Sequence, residues 1–168
     1  MVRPDPCPDW DVRTLVNHVV TEDRWSVPLL AGRTIDEVGG RLDGDQLGGD
    51  PIATAREAAA QAEIAATHPG TIDRTVHLSS GDTPAAEYLQ QLLAEHLVHG
   101  WDVAVAIGAQ PRLDPDAVHA AAQWFAGQVD AYQRDNLVQT GVRVPDDADE
   151  QDHLLAAFGR DPDWAPND

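Results

Sequence analysis

Apolar residues recur at intervals of three and four in several separate stretches of this chain, and that spacing constrains its fold most tightly. Val12, Leu15, Val16, Val19 and Val20 form one such stripe directly after Asp11, a residue suited to capping a helix. The pattern predicts a first helix running to about Leu29, with Pro28 near its end and Gly32 beyond. An alanine-rich stretch predicts a second helix over 52–67, stopped by His68, Pro69 and Gly70. A third fits 84–107, where Pro84 and Glu87 suit a first turn, Gly108 closes the helix and Pro111 follows. A fourth fits 115–138, with Asp114 as cap, Pro115 at the first helical position and Gly141 past the end. Residues 31–50, rich in Gly and Asp, read as a long loop, and 75–79 suit one short extended segment. In the tail, 142–144 is a strand candidate and 151–158 suits one or two helical turns. The expected architecture is one all-α domain over 1–168. It is a four-helix bundle on which the short irregular or strand-containing tail, 141–168, packs.

The chain of 168 residues has the size of one ordinary domain, with 42% hydrophobic residues. Asp and Glu number 29 against 11 arginines, with no lysine, for a formal charge of −18. Such a surface repels nucleic acid and anionic membranes, both of them polyanions, so neither is expected as a partner. Apolar runs are broken well short of the roughly 18 residues a membrane-spanning helix needs, and the N-terminus has no apolar signal segment. A cytoplasmic protein is expected. The single Cys7 excludes an intramolecular disulfide and a cysteine-rich metal site, so the ligands of any metal must be His and carboxylate.

The chemistry-bearing residues concentrate in LLAEHLVHGWDVA, where Glu95, His96, His99 and Asp102 fall within two turns of the third helix. Residues four apart stack on one helix face, so Glu95 and His99 can converge on one ion. His96 and His99, three apart, are a competing pair. Leu89, Leu92, Leu93, Val103 and Ala106 mark the inward side, and Glu95 and His99 fall alongside Leu92 and Ala106, which favours them over His96. Asp102 is placed to orient the His99 ring as a hydrogen-bond acceptor. His18 lies on the edge of the first helix's apolar stripe, where burial asks an imidazole for a partner. Trp101, beside His99, is a candidate pocket wall. Cys7, just ahead of a helix N-terminus, reads either as a reactive thiol or as a small buried hydrophobe. The remaining histidines, His68, His77, His119 and His153, read as surface residues. Ser79 and Ser80 have no nucleophile-elbow context, which argues against a Ser-His-Asp hydrolase.

Three segments together resemble a known family: P-C-x-x-W-x-V-x-x-L-V-N-H at 6–18, E-H-L-V-H-G-W-D at 95–102, and V-P-D-D-A…L-L-A-A-F-G-R-D-P in the tail. Their order and spacing are similar to the DinB-like superfamily, in the branch of the mycothiol-dependent maleylpyruvate isomerase N-terminal domain. The resemblance implies a four-helix bundle holding one divalent ion, commonly zinc, with Ni, Fe or Mn as alternatives for such a donor set. The family's ligand positions match His18, Glu95 and His99. It further implies a thiol cosubstrate, mycothiol or a similar small thiol such as bacillithiol, and an electrophilic second substrate. The metal would stabilise the thiolate as a nucleophile in a transferase or isomerase reaction. A non-catalytic metal- or ligand-binding bundle in stress response and a metal-dependent hydrolase are the competing readings. Relatives carry a full helix before the P-C-x-x-W segment, whereas nine residues precede Trp10 here. Either the true start lies upstream of Met1 or the bundle lacks that first helix, and the expectation is an exposed apolar groove or a homodimer.

Overall fold

The computed structural model describes residues 10–134, 138 and 141–165. The chain is mostly helical with one two-stranded sheet, and it divides into two compact units. An N-terminal unit spans Arg13–Leu92; the other combines residues through Val12 with Leu93 onward. Cys7 lies outside the described residues.

In the N-terminal unit, α1 (Val12–Leu30) buries Leu15 and Val20 of the expected stripe together with Leu29 and Leu30, while Val12, Val16 and Val19 are half-buried. It runs on past Pro28 for two residues, and Gly32, with φ 86°, turns the chain out. The stretch read as a long loop holds a short helix, α2 (Ile35–Val38), and a 3₁₀ turn over Gly39–Leu42. A reciprocal cap explains α2. The Thr34 hydroxyl accepts from the Glu37 amide, and the Glu37 carboxylate accepts from the Thr34 amide at 2.8 Å. Thr34→Ala should lower stability by about 1 kcal/mol. A urea titration would show it as a lower midpoint at unchanged slope, and an unmoved midpoint would contradict the cap's role.

Helix α3 (Pro51–Thr67) starts on the Asp50 cap. It and α1 line an apolar recess of about 430 Å³ whose walls include Val27, Leu30, Ile64 and Ala65. Strand β1 (Thr75–Leu78) pairs antiparallel with β2 (Gly81–Pro84), which places His77 opposite Asp82 and their side chains 2.6 Å apart. The second strand was not expected from the sequence, and it displaces the predicted helix start. Pro84 ends β2, and α4 runs over Ala85–Ala106. Leu29, Leu30, Val76, Ala85, Tyr88 and Leu92 form one buried cluster of this unit. The boundary with the second unit falls within α4, between Leu92 and Leu93.

The second unit continues along α4 and adds α5 (Pro115–Ala126), α6 (Val129–Arg134) and α7 (Glu150–Ala157). Its core joins Ala94, Val98, Trp101 and Val105 of α4 to Val118, Ala121, Phe125, Leu154, Leu155 and Phe158. Instead of one helix over 115–138, the chain breaks at Gly127. The Gly127 and Gln128 amides reach back three residues, to the Trp124 and Phe125 carbonyls, and α6 restarts beyond them. Glycine is a poor helix former, so the break falls where it is least costly. Residues 142–144 form no strand, although the Val142 amide donates to the Ala156 carbonyl. Asp149 caps α7 and is ion-paired to Arg112, which holds its carboxyl below the usual range together with the Asp152 amide, the stronger influence. The far end of α7 closes with Gly159 at φ 79°, where the Gly159 amide donates to Ala156 and the Arg160 amide to Leu155. These two bonds define a Schellman turn, whose left-handed residue is almost always glycine. No helix among the described residues is long and apolar enough to cross a membrane.

Candidate functional site

Helix α4 sets the site's geometry. On an ideal helix, at about 100° per residue, Glu95, His99 and Asp102 share an arc of roughly 60° bordering the stripe of Ala94, Val98, Trp101 and Val105. His96 lies on the far side of that arc from the stripe. Leu92 and Ala106, the residues used to place Glu95 and His99 inward, are buried. Leu89, Leu93 and Val103 are only half-buried, so the inward face is turned further towards Trp101 than the leucines suggested.

Asp102 is fully buried, a costly position for a carboxylate unless it is paired. The structure pairs it twice. His99 Nδ1 lies 3.1 Å from its Oδ2. The Arg160 guanidinium closes on both carboxylate oxygens, with Nη2 donating to Oδ2 at 2.8 Å and Nε within 3.3 Å of each. Burial pushes the Asp102 carboxyl up, but the His99 and Arg160 hydrogen bonds outweigh it and hold the group below its usual range. An ionised Asp102 can only accept, so Nδ1 of a neutral His99 carries the proton and Nε2 is left as the lone-pair nitrogen. The Trp10 ring neighbours the same imidazole, the centroids 6.0 Å apart and tilted by 31°.

This arrangement suits a histidine that ligates a metal through Nε2, since such ligands characteristically donate their other N–H to a carboxylate. Glu95 adds a hard oxygen donor one turn back. His and carboxylate are donor types that divalent ions accept. Among the described residues no group of three or more His, Cys, Asp or Glu side chains is gathered around one point. His18, half-buried on α1, belongs to the N-terminal unit, and Glu95, His96 and His99 to the other.

Of the other singled-out residues, Trp101 lines a cavity of about 350 Å³ with Val105, Gln110, Arg112, Asp152 and Trp164. Burial, then the neighbouring Asp149 charge, raises the Asp152 carboxyl there. His68, His119 and His153 are exposed, and His77 is half-buried in the hairpin. His119 pairs with Glu150 at 2.9 Å. Arg160 was missed as a site residue. It falls in the tail segment that carries part of the family resemblance, and its Phe-Gly-Arg sequence after a helical stretch announces a Schellman turn but not where the arginine reaches.

A helical protein in which His99 and Asp102 of α4 are joined by Arg160 from the turn after α7 is the class these observations define. The chain belongs to the mycothiol maleylpyruvate isomerase N-terminal domain family, a DinB-like family whose model matches residues 2–104. It is also similar to two uncharacterised proteins of Mycobacterium tuberculosis, one from each of two strains, at 30% identity over 117 residues. The match covers 67% of this chain and 58% of each relative's length. No solved structure matches.

Proposed function

We propose that this chain is a metal- and thiol-dependent transferase or isomerase on a DinB-like four-helix scaffold. In this reading, His18, Glu95 and His99 ligate a divalent ion, most simply zinc, and mycothiol or a related small thiol is the cosubstrate. The observation that carries it is the His99–Asp102 contact, the kind of hydrogen bond that a metal-ligating histidine characteristically makes through its other ring nitrogen. Glu95 joins it by helical spacing, and His18 by the family resemblance alone. When bound, the ion would lower the thiol's pKa and supply a thiolate nucleophile at neutral pH. The chain's own work is to hold the ligands. Asp102 orients the imidazole, and the Trp10 ring lies beside it.

His99→Ala should remove bound metal from protein purified from its own cytoplasm, as read by elemental analysis. It should also abolish thiol conjugation measured with mycothiol and a panel of electrophiles. Full metal content in that variant would sink the ligand assignment, and loss in His96→Ala instead would transfer it to the His96/His99 pair. Tight metal with no turnover in the wild type would favour the non-catalytic binding module.

A further inference from the structure

Arg160 lies 58 residues from Asp102 in sequence and far beyond residue 104, where the family match ends. Its side chain is nevertheless 8% exposed and commits three contacts to the fully buried Asp102, with Nη1 donating to the Phe158 carbonyl at 2.9 Å. The backbone that delivers it is the Schellman turn at the end of α7, so a local glycine signal fixes a long-range contact. A carboxylate has one plane and two oxygens. The guanidinium fork engages both oxygens, and so sets the plane in which the acceptor meets His99 Nδ1.

We propose that Arg160 is a positioning residue for His99: the tail pins Asp102 and thereby selects the His99 tautomer that leaves Nε2 as the donor nitrogen. The α4 site is then completed by a segment outside the family-matched region. The use of Nε2 for a metal rests on the function proposed above, whereas the tautomer selection does not.

The two are separable by experiment. Full-length protein carrying ¹⁵N-labelled histidine is stripped with chelator and examined by long-range ¹H–¹⁵N correlation at about pH 8, where an ordinary imidazole is neutral. Wild type should give one His99 pattern, Nδ1 protonated and Nε2 not. Arg160→Met should give a mixture of both tautomers, because a carboxylate released from the fork no longer holds one acceptor on Nδ1. Titrated with Co²⁺, the same variant should bind about 10–100-fold more weakly than wild type. Arg160→Lys, which keeps the charge but offers a point donor, should fall between the two and serves if the Met variant does not fold. An unchanged His99 pattern in a folded variant would overturn the proposal. If wild type bound no Co²⁺ while the tautomer still answered to Arg160, the metal reading would fall and the positioning role would stand.

Discussion

Phe125→Ala is expected to lower the stability of the unit built on α5 and α7 by about 3–5 kcal/mol, the usual cost of deleting a buried aromatic ring. Phe125 is 1% exposed and stacks on Phe158, with centroids 3.9 Å apart at 25°. It packs T-shaped against Tyr132, with centroids 5.5 Å apart at 85°. The ring therefore holds α5, α6 and the end of α7 together, and Phe158 and Tyr132 both lose an aromatic contact when it goes. Backbone collapse has little freedom to refill the hole, because Ala121 and Leu155 beside it are already fully buried. Phe125→Leu keeps most of the volume and should cost roughly 1.5 kcal/mol or less. Urea denaturation of both variants reads the difference; equal, small losses would mean that the aromatic cluster is not the core of this unit. Ile64→Ala, on an exposed side chain, should stay within about 0.5 kcal/mol.

The elements that could be read from the sequence are those whose signals are local. Asp50 before Pro51 and Asp114 before Pro115 announce α3 and α5, because a cap and a proline at the first helical position act within one turn. The same locality could have revealed α2, since Thr34 and Glu37 spell a capping box in a stretch otherwise dominated by glycine. The strand β2 had no such signal. Gly-Asp-Thr-Pro has little strand propensity and is held by pairing with β1 and by the His77–Asp82 contact across it. The break at Gly127 was hidden because the apolar period continues through it. For the site, spacing on α4 was enough to pair His99 with Asp102, whose contact the structure shows. Arg160 was beyond reach because no local rule predicts which buried charge a C-terminal turn will meet. What could be inferred is that a buried Asp102 needs cationic or donor partners, and the chain's eleven arginines left that partner undetermined.

Asp102→Ala should be as damaging as the loss of Phe125, through charge rather than volume. Removing the carboxylate leaves the Arg160 guanidinium 8% exposed with its main counter-charge gone, and breaking such a buried pair costs about 3–5 kcal/mol. The double variant Asp102→Leu with Arg160→Met removes both charges and should recover most of that loss. The pH dependence follows from the lowered Asp102 pKa. A carboxyl whose folded pKa lies below its unfolded value contributes its full stabilisation above the unfolded value, about 3.9. It loses that stabilisation as pH falls through the folded value. The part of the stability gap between wild type and Asp102→Asn that comes from the Asp102 charge should therefore be full above about pH 5 and shrink below about pH 4. A gap that persisted undiminished to about pH 2 would mean that Asp102 is not the ionised member of the pair. The double variant also separates stability from function. It should refold with its core intact, yet His99 would lack the oriented acceptor. The metal content of a stable protein would then report on the His99–Asp102 contact without the confounding loss of fold.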